Sequence, residues 1–426
     1  MTAESIPVRL ARACSEIRLA GQADAVGGRQ PSYVAAPAST REASAVLRAA
    51  AELGLAVLPR GGGTRLHWGA PPDRCELLVE TRRMPAVLEH AAGDLVARVQ
   101  AGAGLRQLAD VLGAAGQRLA LDPPPAAAGT ADGTVGGLIA TGVAGPLRLR
   151  YGSPRDLLIG VTIVRADGTV AHSGGKVVKN VAGYDLGKLY AGSFGTLGLI
   201  TEAAFRLHPQ PGAVAFVTLE CPDAGAAQAA IAAAVDSPLA PSAAEVHWPG
   251  RESPISAGIL LEGDPDAVAE RAARMRTLLG CAAVRSGPPP WWGQYPAAAA
   301  DGTAIRVAFW AGNAAAVLDT IAAAAAAAGL DPAVGGSAAA GVLHAWLPGN
   351  AVPAAVAEFL TALRAVAGVS AGPPAGGSAV MLHAPPAVRD VVDIWGPVAS
   401  LPLMRAVKDQ FDPDHRMAPG RFVGGI

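Results

Sequence analysis

Aromatic side chains are scarce in this chain: phenylalanine, tryptophan and tyrosine make up 4% of 426 residues, and charged residues only 16%. The charges nearly cancel, 34 Lys and Arg against 35 Asp and Glu for a net charge of −1. That balance argues against a charge-driven nucleic-acid or acidic-membrane partner. Only four cysteines occur, Cys14, Cys75, Cys221 and Cys281, widely separated and without a C-x-x-C pair. No zinc or iron–sulfur site is legible in that spacing, and the thiols are expected to be reduced, in a cytoplasmic protein. Eight histidines include neither H-x-H nor H-E-x-x-H, so no metal centre is expected. The opening Met1 to Ser5 lacks a positive region followed by an apolar one, so no secretory leader is expected. The longest apolar stretch, Ala314 to Ala328, is mostly alanine and is interrupted by Asp319, which reads as a helix of a folded domain and predicts no direct membrane span.

What the chain has in quantity is small residues, including 52 glycines. The apolar run Leu55 to Leu58 reads as a strand, and Pro59-Arg60-Gly61-Gly62-Gly63-Thr64 follows it as a loop. Without Cβ atoms, that loop can press backbone N–H groups against an anion, a phosphate or pyrophosphate being the natural guest. Gly133-Thr134-Val135-Gly136-Gly137-Leu138-Ile139-Ala140-Thr141-Gly142 is nearly uncharged, a composition that lets a flat, largely apolar ring approach the backbone. Two further segments are Lys179-Asn180-Val181-Ala182-Gly183-Tyr184-Asp185 and Gly192-Ser193-Phe194-Gly195-Thr196-Leu197-Gly198-Leu199-Ile200-Thr201. A competing dinucleotide motif at Gly102-Ala103-Gly104 fails, because Gln107 stands where its third glycine belongs. Ala191-Gly192-Ser193-Phe194-Gly195 misses the hydrolase nucleophile elbow at its first glycine.

The run Gly174 to Leu189, together with the loop at 59–64, resembles the FAD-binding subunits of bacterial glycolate oxidase, within the PCMH-type, or vanillyl-alcohol-oxidase-type, flavoproteins. The resemblance spans roughly residues 30–213 and a tail at Phe411-Asp412-Pro413 and Pro419-Gly420. It implies FAD contacts at Pro59, Arg60, Gly61, Gly62, Gly63, Thr64, Thr134, Gly136, Gly137, Ala140, Thr141, Gly142, Asn180, Gly183, Tyr184, Asp185, Gly195, Gly198, Ile200 and Thr201. Relatives that link the flavin covalently use a histidine after the triple glycine; Thr64 stands there, so non-covalent FAD is expected.

The expected fold class is α+β. A short amino-terminal segment (1–29) precedes a PCMH-type FAD-binding domain of two α/β subdomains (30–211). A cap of two ferredoxin-like βαββαβ repeats follows (212–398; repeats about 214–285 and 304–384), with Gly287 to Trp292 between them. A helix and tail (399–426) are implied by the resemblance to return to the FAD domain.

Oxidising a 2-hydroxy acid needs a hydride acceptor, a base for the hydroxyl proton and a cation for the carboxylate. Arg60, Arg148, Arg150, Arg155, Lys176, Lys179 and Lys188 are candidate cations. The Glu-His-Gly segment that self-sufficient relatives carry in the cap is missing, and His344 and His383 stand singly on predicted strands, where a structural role is expected. No catalytic residue is therefore assigned. The resemblance implies a subunit oxidising glycolate to glyoxylate with a second FAD-linked oxidase subunit and an iron–sulfur subunit, membrane-associated through those partners if at all. A self-sufficient D-lactate-type dehydrogenase and a flavin-free scaffold are the alternatives.

Overall fold

A computed structural model describes residues 5–125, 132–175, 185–280, 282–295, 302–369 and 377–426. A first small sheet has the strand order Ile17–Leu19, Tyr33–Ala35, Leu77–Glu80, Val57–Arg60, with its last three strands parallel. Helix Thr40–Glu52 covers it, burying Ala43, Val46, Leu47 and Ala50 at the three- and four-residue spacing of one helix face. Ser39 caps the helix by accepting a hydrogen bond from the Glu42 N–H at 3.2 Å. The amino-terminal segment is part of this unit: helix Ile6–Ala13 buries Leu10, and strand Ile17–Leu19 extends the sheet. At eight and three residues these elements are too short for a periodic pattern to stand out in the sequence.

The second sheet is antiparallel, in the order Val87–Ala91, Val96–Gln100, Leu199–Arg206, Leu158–Val164, Val170–Gly174. Helices Leu105–Gly113 and Val135–Thr141 pack on it around Val99, Ala101, Leu108, Ile139 and Phe205.

The carboxy-terminal half forms one eight-stranded sheet. Its first four strands run Ala283–Arg285, Ala213–Cys221, Ile255–Gly263, Ala243–Trp248, and the other four Ala333–Ser337, Val342–Leu347, Thr303–Ala308, Ser378–His383. Each set is a ferredoxin-like βαββαβ unit, and the second is the first reversed across the junction. The join pairs Val246 with Gly336, His247 with Gly335 and Trp248 with Val334, so the second strands of both repeats complete each other's edges. Four helices, Ala224–Asp236, Pro265–Leu279, Ala314–Ala328 and Pro353–Val369, lie on one face over Val217, Ile259, Ile305 and Leu343. Among the described residues only the stretch 311–328 is long and apolar enough to cross a membrane, and its Val317, Leu318 and Ile321 are buried in this core.

Because strand side chains alternate, the residues between those core positions point to the opposite face of the cap sheet, toward the amino-terminal domain. Glu245, Arg306 and His344 are among them.

Helix Leu401–Phe411 and the tail return to that first domain. Lys408 and Asp412 are both fully buried. Lys408 Nζ donates to Asp412 Oδ2 at 2.7 Å, to the Thr196 carbonyl at 2.8 Å and to the Met417 carbonyl at 2.9 Å. All three ammonium protons are thus used, which makes so deep a charge tolerable. The Val57 N–H donates to the Arg416 carbonyl and the Ala418 N–H to the Val57 carbonyl, both at 2.8 Å, so the tail shields the edge of the strand that carries the glycine loop.

Candidate functional site

Strand Val57–Arg60 ends at the loop Gly61-Gly62-Gly63-Thr64, and helix Val135–Thr141 stands beside it. The two approach so closely that a Cβ on Gly61 would lie 2.1 Å from Thr134 Oγ1, and one on Gly62 2.1 Å from the Asp132 carbonyl oxygen. Gly63 has open space but a φ of +76°, which side chains rarely adopt. Packing thus demands the first two glycines and backbone conformation the third. Thr134 caps the helix by accepting from the Gly137 N–H at 3.3 Å, while Gly136 lets the helix sit on Ala101, where a Cβ would meet the Ala101 Cβ at 2.9 Å. Gly142 ends the helix at φ +62°. The turn after Ala191 is tied to the helix by Gly192 N–H to the Ile139 carbonyl at 2.9 Å and Phe194 N–H to the Ala140 carbonyl at 2.8 Å.

One cleft results. It is lined by Pro59, Gly61, Gly62, Gly63, Thr64, Thr134, Gly137, Ala140 and Thr141 of the expected residues, and by Leu58, Arg65, Leu66, Leu105, Leu138, Phe194 and Arg421 in addition. Among the described residues the N–H groups of Gly61, Gly62, Gly63 and Thr64 have no hydrogen-bond acceptor. Successive free amides of this kind form a concavity suited to an anionic oxygen, so the loop fits the pyrophosphate of FAD. The mainly apolar wall from Leu138 to Thr141 fits a flat ring.

Other expected residues have different places. The Arg60 guanidinium is committed to Asp24, at 2.8 Å, and to Glu80, so it offers no free charge, and Arg60 does not line this cleft. Gly195, at φ +78°, packs on Pro59, and Gly198, at φ +153°, faces the Val164 carbonyl. Ile200 is buried in the second sheet; Thr201, fully buried beside it, donates to the Thr162 carbonyl at 3.3 Å. Asp185 pairs with Lys188 at 3.3 Å. Asn180, Gly183 and Tyr184 lie outside the described residues, as do Lys176 and Lys179.

Arg421 could not be foreseen, because it comes from the tail. It is 4% exposed and donates to the carbonyls of Leu66 at 3.0 Å, Trp68 at 2.8 Å and Ala70 at 3.0 Å, which fixes the chain just after the glycine loop. Burial brings its pKa down to about 10. Phe194 stacks on Phe422 at 5.6 Å and meets Trp395 edge-on at 5.3 Å, joining this wall to the tail as well.

A second polar region lies between the cap sheet and the first domain, held at two ends. At one end Arg118 grips Glu262 with both nitrogens, at 2.7 and 2.9 Å, and the Tyr151 hydroxyl donates to the same carboxylate at 3.2 Å. At the other, the His67 and His383 rings meet edge-on at 4.7 Å, and the Gly69 N–H donates to the Leu382 carbonyl at 3.0 Å. Burial, with His383 and Arg65 nearby, depresses the His67 pKa to about 4.

Between these ends Arg306 and His344 are register partners on adjacent strands. Tyr295 stacks on the His344 ring at 4.1 Å, and its hydroxyl donates to the Ala144 carbonyl at 3.2 Å. Glu245 is 2% exposed with Oε1 unpartnered, and burial holds its carboxyl well above the usual carboxylate range. Asp122 takes the Leu147 N–H on both oxygens, at 3.0 and 3.1 Å, yet burial still raises it to about 7. Burial first, then the charges of Arg306 and Arg148, drive His344 down to about 3, so its imidazole is neutral. His344 and His383, isolated in sequence, are therefore not isolated in space.

Residues 31–174 match a family model described as an FAD binding domain. A D-lactate dehydrogenase of Archaeoglobus fulgidus is 41% identical over 177 residues, 42% of this chain and 39% of that protein. The glycolate oxidase subunit GlcD of Bacillus subtilis is 38% identical over 181 residues, 42% of this chain and 38% of that protein. The chain thus spans about two fifths of the length of the curated relatives it matches. In fold it is similar to p-cresol methylhydroxylase, with TM-score 0.74 at 15% identity over 98% of this chain and 96% of the other. It is likewise similar to 4-ethylphenol oxidase from Gulosibacter chungangensis, with TM-score 0.70 at 16% identity over the same shares.

Proposed function

We propose that this chain, whose residues 31–174 match an FAD binding domain, is an FAD-linked oxidase that serves as the FAD-binding subunit of a glycolate-oxidase-like complex oxidising a small 2-hydroxy acid, glycolate to glyoxylate. The observation that carries the reading is the loop Gly61 to Thr64, whose N–H groups have no hydrogen-bond acceptor among the described residues and which lines a cleft walled by the Thr134 helix. The loop amides hold the pyrophosphate, the 134–142 segment presents its backbone to the ring system, and Arg421 keeps the following chain in position. Bound FAD supplies the acceptor for the hydride leaving C2 of the substrate. With Thr64 after the triple glycine, the cofactor is held without a covalent bond. The complex would supply a second FAD-linked subunit and an iron–sulfur subunit to pass electrons on.

The second reading, a self-sufficient dehydrogenase of D-lactate type, is favoured by the polar residues that the cap turns toward the first domain, Arg306, His344 and Tyr295. One experiment separates the two. The visible spectrum of the purified chain is recorded before and after denaturation, then during anaerobic addition of glycolate and D-lactate. Releasable FAD that neither acid bleaches supports the subunit; rapid bleaching supports the dehydrogenase; absence of FAD overturns both.

A further inference from the structure

Arg306 stands on a cap strand with its side chain toward the first domain, and among the described residues no acceptor lies within hydrogen-bond distance of its guanidinium. Arg306 is only partly exposed, and a cation there with no anion beside it is open to pairing with one. Arg148, from helix Arg148–Tyr151 of the first domain, adds positive charge to the same space: its field lowers both Arg306 and His344. Glu245 does not restore the balance, because its buried carboxyl favours the neutral form and its Oε1 has no partner. His344 cannot share the positive charge and keeps a buried Nδ1 without a partner. Tyr295 lies over the imidazole and closes one side. The set therefore lacks one small anion that also carries hydrogen-bonding groups.

We propose that Arg306, His344 and Tyr295 form a binding site for a small carboxylate bearing a 2-hydroxyl group, held on the cap sheet of this chain itself. The assignment rests on reading the chain as an FAD-linked 2-hydroxy-acid oxidase. Arg306 takes the carboxylate through two parallel N–H donors, and the neutral His344 accepts from the hydroxyl.

Oxalate, a dicarboxylate with no C–H bond to give up, is the probe. Its binding is measured by calorimetry on the full chain as purified, and FAD content is read spectroscopically on the same sample. Wild type is expected to bind oxalate; Arg306→Met should weaken binding at least tenfold, Arg306→Lys less, and Arg274→Met, on an exposed helix face, not at all. His344→Phe keeps the ring stack and tests the site should the arginine variants fail to fold: it should weaken lactate binding more than propionate binding. An FAD-loaded chain that ignores oxalate, or Arg306→Met binding like wild type, overturns the site. An FAD-free chain that binds oxalate through Arg306 keeps the site and overturns the oxidase reading, and an FAD-free chain that does not bind overturns both.

Discussion

At Asp122, hydrogen bonds from the Leu147 N–H and the charge of Arg118 favour the carboxylate, while burial and the charge of Glu262 oppose it, and burial prevails. With a folded pKa of about 7, above the ordinary carboxyl value of 3.8, the native state holds a proton that the unfolded chain has released. Asp122 therefore contributes stability that is present at low pH and is lost as pH rises through about 7. Asp122→Asn removes that proton equilibrium. The stability difference between the variant and wild type, from denaturant titrations at pH 5 and pH 8, should move in favour of the variant at the higher pH. A difference that stays constant across the range would show that Asp122 titrates normally. Nothing in the local sequence Asp122-Pro123-Pro124-Pro125 signals this, because the shift comes from burial in the folded chain and from the charge of Glu262, far away in sequence. Arg60 teaches the converse: its type and place suggested a phosphate ligand, but Asp24 and Glu80, 36 and 20 residues away, take up its charge.

Among the elements, the glycine loop separates two reasons for one residue type. Gly62→Ala drives a Cβ into the Asp132 carbonyl and must push the loop away from the Thr134 helix. Gly63→Ala meets no neighbour closer than 3.9 Å and bears only the strain of its positive φ, about 1 kcal/mol. FAD affinity should thus fall more than tenfold in the first variant and a few-fold in the second, as read by flavin fluorescence on titrating FAD into apoprotein. Equal losses would mean that the amides, and not the packing, set the loop. The loop was legible as an anion cradle from its three glycines. Its fit against residues 132–134 was not, because a glycine kept for close packing and one kept for an anion look alike in sequence.

For the whole molecule, the Arg118–Glu262 pair with Tyr151 couples cap to cofactor domain across 144 residues of chain. Glu262→Gln leaves the Arg118 charge poorly matched in a half-buried place. Strand Ile255–Gly263 and helix Arg148–Tyr151 should then exchange amide hydrogens faster, while helix Thr40–Glu52, far from the contact, keeps its protection. Uniform acceleration would instead indicate a global loss of stability. By itself the sequence determined the local elements, the duplicated βαββαβ order and the glycine loop, since these depend on periodicity, turn residues and missing Cβ atoms, all written within a few residues of each other. Only the tertiary structure decided what meets across the cap sheet. Side-chain alternation turns Glu245, Arg306 and His344 to one face, and the reversed second repeat brings their strands alongside Asp122, Arg148 and Tyr295. The charge state of such a cluster is set by desolvation and by neighbours more than a hundred residues apart, which no local pattern encodes.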